Sequence, residues 1–138
     1  MGMPRYFDSK TNMQLEYIIR FGFTAGASGA VPALSAFTIP GTTRDLDPAT
    51  GKVAASTGLY DFFFKYPFLA LLPGWEIQVI QASYSASGAV EGYITVDNVA
   101  TAGAPKVRVT FRTAAGAAVD LASGDQVFVV IPVMLRKQ

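Results

Sequence analysis

A chain of 138 residues is the size of one domain and can bury a core without staples. It holds neither cysteine nor histidine, which excludes disulfides, thiolate metal sites and every mechanism that needs imidazole as base, ligand or pH switch. Only 15% of its residues are charged, with a formal net charge of +1, while 51% are hydrophobic. A typical domain carries about 25% charged residues. So apolar and nearly uncharged a surface promotes association, and the composition therefore points to partner chains. The competing reading is an alanine- and glycine-rich monomer, because alanine raises hydropathy without making sticky patches.

Residues 1–13 read as an extended arm. Arg5, Tyr6 and Phe7, next to Asp8, suit a segment that reaches onto a neighbour. The arm lacks the basic head and apolar run of a signal peptide. Residues 14–138 read as one β domain. In "QLEYIIRFGFT", Leu15, Tyr17, Ile19, Phe21 and Phe23 alternate with Glu16, Ile18, Arg20 and Gly22, the period of a half-buried strand. A Gly/Ala/Ser-rich connection follows. A weaker strand is expected over Ser35–Ile39.

"RDLDPATGK" has the composition of a hairpin loop, in which Asp47 caps its own turn. The sharper alternative is a calcium site using Asp45, Asp47 and the Thr50 oxygen, but an EF-hand loop would need more acidic positions. A second weak strand is expected over Lys52–Ala55. In "GLYDFFFKY", Tyr60, Phe62, Phe64 and Tyr66 share a face opposite Leu59, Asp61, Phe63 and Lys65. With Phe68 these aromatics form a cluster expected in the core. Phe63 and Trp75 are surplus to it and need a second cover, either another sheet or another subunit. "PFLALLP" permits one short helical turn at most.

Strands are expected again from Trp75, over Ala89–Val96, over Lys106–Thr113 and from Gln126 to the end. In the last, Val127, Val129, Ile131, Val133 and Leu135 oppose Phe128, Val130 and Met134, so both faces look covered. Pro132 has no amide donor and predicts an edge strand or a bulge there. The apolar runs 67–73 and 127–135 are too short to span a bilayer as helices. Short strands separated by turns predict an all-β, single-domain antiparallel β-sandwich, jelly-roll-like, with the N-terminal arm attached.

Carboxylates, lysine, tyrosine and serine remain for chemistry. No Ser-x-x-Lys motif occurs and the ten acidic residues are scattered, so no acid–base pair converges and no enzyme is expected. No cofactor is expected either. Lys106, Arg108 and Arg112 make a basic row along one strand face. It reads either as a solvated face or as a contact for an acidic partner. Near-neutral charge argues against nucleic acid, and no membrane contact is expected. Trp75, Tyr84 and Tyr93 are candidates for a sugar-stacking platform, should the domain be a carbohydrate- or receptor-binding module of a tail or fibre.

From Ser56 onward the chain resembles small structural proteins of tailed bacteriophages and prophages. The resemblance rests on "STGLYDFFF" (Ser56–Phe64), on the strand from Trp75 with Ala82 and Ser83, and on "APKVRVTFRTAAGAAVDLASGDQVFVVIPV" (Ala104–Val133). It implies a virion component, most closely a head decoration (cement) protein. Such proteins lie on the capsid exterior, bind the major capsid protein, often form trimers, and brace neighbouring shell subunits. A tail or connector component is a further reading. The family has no catalytic motif to carry over.

Overall fold

The computed structural model describes residues 15–37, 43–83 and 88–135. Eight strands run through them: β1 (Leu15–Thr24), β2 (Gly51–Lys52), β3 (Leu59–Phe63), β4 (Ala70–Leu71), β5 (Glu76–Ile80), β6 (Val90–Asn98), β7 (Lys106–Thr113) and β8 (Gln126–Leu135). They form two four-stranded antiparallel sheets. In the front sheet β8 is central, with β1 on one side and β4 then β5 on the other. The back sheet has the order β2-β3-β7-β6. Two antiparallel sheets packed on one core make the nearly all-β chain a β-sandwich, as the alternation predicts.

The alternation in the sequence sets which side chains meet between the sheets. Ile19, Phe21 and Phe23 of β1 and Val127, Val129, Ile131 and Val133 of β8 are buried. They face Tyr60 and Phe62 of β3 and Val107, Val109 and Phe111 of β7 in one core. Phe62 stands between the sheets, its ring centroid 5.1 Å from Phe21 and 6.0 Å from Phe23. Tyr60 meets Phe111 edge to face at 5.1 Å. Such tilted and T-shaped pairs place a ring edge on a neighbour's electron-rich face, worth about 0.5–1.5 kcal/mol beyond burial. The expected aromatic cluster is core except for Tyr66, which is 69% exposed.

One side of the sandwich is closed by a close approach of β5 to β6. A Cβ on Gly92 would lie 2.6 Å from Ile77 Cγ2 and 2.9 Å from Phe111 Cε1. Only glycine allows the two sheets to come that close there.

Pro132 lies in the central strand, so the edge expected from it is corrected. Its carbonyl accepts from the Leu72 amide at 2.9 Å, on the β4 side. The N and O of one strand residue point to the same side. The missing N–H therefore falls where β4 ends at Leu71 and β5 has yet to begin at Glu76. The irregularity that proline demands is in the partner, which breaks at Pro73-Gly74.

Two expected strands change. Ser35 and Ala36 lie in a 3-10 turn, Leu34–Ala36, and not in a strand; Ile39 is outside the described residues. The strand expected over Lys52–Ala55 is only Gly51–Lys52, because Ala54 and Ala55 turn and Ala55 takes a positive φ of 61°. "PFLALLP" makes no helix, since Ala70 and Leu71 pair with Met134 and Val133.

The Gly/Ala/Ser-rich connection after β1 is built into the core. A 3-10 turn at Ala27–Gly29 buries Gly29, while Val31, Leu34 and Phe37 pack on the core. The "SGDQ" turn is stitched to it. The Asp125 carboxylate, buried, accepts from the Ala82 and Ala122 amides at 2.9 and 2.8 Å. Its backbone carbonyl accepts from Ala25 at 2.8 Å. Among the described residues no buried side-chain nitrogen or oxygen lacks a partner, as a single well-packed native state requires.

Candidate interaction surfaces

Three regions present side chains away from the shared core: the outer face of the back sheet, the loop before β2, and the outer face of the front sheet.

On the back sheet, β7 turns Lys106, Arg108, Thr110 and Arg112 outward. The β3–β7 register sets Asp61 opposite Arg108 and Phe63 opposite Lys106. The basic row is therefore substantially paired. Arg108 grips Asp61 with two hydrogen bonds, Nε to Oδ1 at 2.7 Å and the second nitrogen to Oδ2 at 2.9 Å. This fork geometry matches a carboxylate plane. Lys106 Nζ adds a bond to Oδ2 at 3.1 Å. Burial opposes the Asp61 charge, but the bonds from Arg108 and Lys106 and their positive charges outweigh it and hold the carboxyl below its ordinary value. Lys106 also lies 5.3 Å from the centre of the Phe63 ring. Among the described residues the group over Phe63 is neither another sheet nor another subunit but a lysine from the neighbouring strand, a cation–π contact.

Arg112 donates to the Gly116 carbonyl at 2.9 Å and lies opposite Glu91 in the register. Tyr93 is exposed on the same face and donates to Glu91. Thr95 and Thr110 share a hydroxyl contact of 2.8 Å across a bulge between Ile94 and Val96. The face is self-satisfied and polar. Sequence spacing placed its cations in a row but gave no signal that Asp61, 45 positions from Lys106, would neutralise one of them.

In the loop before β2, Asp47 accepts from the Ala49 amide at 2.8 Å through Oδ1, while its carbonyl accepts from Thr50 at 2.9 Å. This is the self-capped turn. Asp45 is engaged elsewhere, accepting from the Tyr17 hydroxyl at 2.6 Å. Thr50 Oγ1 accepts from the Phe63 amide at 3.0 Å. The three candidate calcium ligands are thus used in three different contacts. Among the described residues no group of three or more acidic side chains gathers to hold a metal.

Two of the sugar-platform candidates, Trp75 and Tyr93, do not share a face. Trp75 is half-buried and enters β5 of the front sheet, whereas Tyr93 is on β6 of the back sheet, on the face opposite to Gly92. Tyr84 lies outside the described residues, as do Arg5, Tyr6 and Phe7 of the arm.

The front sheet has a second apolar face. Phe128, Val130 and Met134 of β8 point away from the core, with Pro132, itself buried, between Val130 and Met134, and Ile18 on β1 and Ile80 on β5 flanking them. Ile18 is 38% and Ile80 55% exposed. Phe128, Val130 and Met134 are half-buried and, like the two isoleucines, neither belong to the core nor pack against it. The unbroken apolar pattern of β8 signalled this face. Both faces of the strand were expected to be covered; the back sheet covers one, and on the other Phe128, Val130 and Met134 are half-buried and Pro132 is buried. Glu16, Arg20, Glu76 and Gln78 rim the face. An apolar centre with a polar rim is the anatomy of a protein-binding surface. Among the described residues no helix is long and apolar enough to cross a membrane.

A scan against protein-family models, a search of curated proteins and a search of solved structures each found no match to this chain.

Proposed function

We propose that this chain is a non-enzymatic structural protein of a tailed-phage virion, decorating the capsid exterior and stabilising it by bracing neighbouring subunits of the major capsid protein. The supporting observation is the outer face of the front sheet, where Phe128, Val130 and Met134 form an apolar centre that the core does not use. A sheet face is broad and rigid, so it docks on a preformed surface with little ordering cost. The polar rim of Glu16, Arg20 and Glu76 would set the register on the shell. The arm of residues 1–13 supplies a second contact in this reading. The back sheet, with Asp61 held by Arg108 and Lys106, supplies rigidity to the docked domain.

The carbohydrate-binding alternative has less support. Stacking a sugar needs aromatic faces side by side, and Trp75 and Tyr93 belong to different sheets.

Hydrogen exchange of the purified protein, free and after addition to shells lacking it, tests the proposal. Protection of β8 and β1 on the shell is the expected result. Protein that stays free of shells, or binds them with protection confined to the back sheet, overturns it.

A further inference from the structure

We propose that β1 is a pairing edge that joins two copies of this chain, antiparallel about a twofold axis at Ile18, so that the two front sheets continue as one. The inference goes beyond the shell-docking reading and does not depend on it.

β1 has ten residues and ends the front sheet. It pairs with β8 on one side, and among the described residues no strand pairs with its other side. A long edge with unpaired N–H and C=O groups is a template for another strand. Its outward backbone groups can be identified. The Pro132 carbonyl is committed to Leu72, on the side away from β1. Ile18 lies opposite Pro132, so this is a non-hydrogen-bonded pair and Ile18 turns its own N–H and C=O to the free edge. By the alternation of a strand, Glu16, Arg20, Gly22 and Thr24 do the same. An antiparallel partner must therefore set even-numbered residues against even-numbered residues, which places the twofold axis on a residue and not between two.

The side chains then choose among axes. An axis at Glu16 or at Arg20 sets like charges opposite each other, which is destabilising. An axis at Tyr17 or Ile19 sets one or both charged side chains against Ile18 or Gly22. Only the axis at Ile18 sets Glu16 against the partner's Arg20, and Arg20 against the partner's Glu16, with the two Ile18 side chains between them. Four residues of strand are about 13 Å long, so Glu16 and Arg20 cannot pair within one copy. Among the described residues neither has an ion pair. The same axis sets Leu15, 53% exposed, opposite the partner's Phe21 in the ladder. It also merges the two apolar outer faces into one continuous surface centred on the paired isoleucines.

Sedimentation of the full chain over a range of concentrations, with charge variants, tests this. The expected result is a monomer–dimer equilibrium. Because each reversal spoils two symmetry-related pairs, Glu16→Lys or Arg20→Glu alone should weaken the dimer about tenfold. The double variant should recover it. The chain has no cysteine, so Ile18→Cys gives a clean second readout. Residues paired in this way stand about 5.5 Å apart at Cα, within the span of a disulfide. Oxidised Ile18→Cys should link to itself. Glu16→Cys should link only when mixed with Arg20→Cys. A monomer at every concentration would mean that the edge is closed within one copy and overturns the proposal. So does a closed trimer, a dimer indifferent to both charges, or Glu16→Cys linking to itself.

Discussion

The Tyr60 hydroxyl donates to the Gly29 carbonyl at 2.7 Å, tying the start of β3 to the turn that follows β1. The same oxygen accepts from the Leu121 amide at 3.2 Å. Three segments distant in sequence thus meet on one buried hydroxyl. Burial pushes its pKa up to about 12, the Leu121 bond acting in the opposite direction.

Gly29 is the most constrained position of this junction. Its φ is +76°, and a Cβ there would stand 2.4 Å from the Leu121 carbonyl oxygen and 2.6 Å from the Tyr60 hydroxyl. The hydroxyl is held by the two bonds just described, and the carbonyl is backbone, so neither yields cheaply. Gly29→Ala should destabilise the fold by about 3 kcal/mol or more, through strain and displaced hydrogen bonds. Urea denaturation with an unchanged slope checks it.

Tyr60→Phe keeps the ring against Phe111 but leaves the Gly29 carbonyl and the Leu121 amide without a partner. A loss of about 1–3 kcal/mol is expected, the cost of orphaned buried polar groups. In the unmodified protein, ultraviolet titration should show Tyr60 ionising near pH 12, above the ordinary tyrosine value of 10.0.

Asp61 makes stability depend on acid. Its folded pKa lies below the ordinary carboxylate value of 3.8. Its contribution is therefore fully present above the unfolded pKa and is lost as pH falls through the lower folded one. Asp120, lowered by its bonds from Lys52 and Gly58 against burial, adds in the same direction. Thermal unfolding at a series of pH values should show little change from Asp61 between pH 7 and about 5, and a decline below about 4. Asp61→Ala should remove part of that decline and cost about 3 kcal/mol at pH 7, at the low end for a broken buried pair because both cations reach solvent. Arg108→Lys should cost less but still weaken the pair, since an ammonium cannot reproduce the two-pronged grip.

The outer face of the front sheet separates stability from binding. Val130→Lys adds a charge where the core is not involved, so unfolding should shift by no more than about 0.5 kcal/mol. Shell binding should fall by about a hundredfold or more, because taking a charge out of water at an interface costs several kcal/mol. Val129→Lys, one residue away and facing the core, should fail to fold. Co-sedimentation with shells, beside circular dichroism, distinguishes the two.

The strands were legible wherever alternation was strong. β1, β3, β7 and β8 lie where period two predicts them, because an aromatic or branched side chain at every second position can be buried only by a sheet. The short elements were not. Gly51–Lys52 owes its pairing to Tyr60 and Asp61, and Ala70–Leu71 owes its pairing to β8, so neither is set by its own residues. Ser35 and Ala36 turn because the chain must bring Leu34 and Phe37 onto the core. The basic row was visible as spacing, but its neutralisation by Asp61 depends on a strand register that local sequence does not contain. The same holds for Pro132: its missing donor was plain, whereas the gap between β4 and β5 that absorbs it is a property of another segment.

The most direct measurement is the protein inventory of purified phage particles from cells that encode this chain, taken by quantitative mass spectrometry before and after the shells are stripped of loosely bound proteins. The account predicts the chain on the head, in a copy number comparable with that of the major capsid protein, and lower heat resistance of shells that have lost it. Absence from particles, or presence in only a few copies confined to the tail, would contradict it.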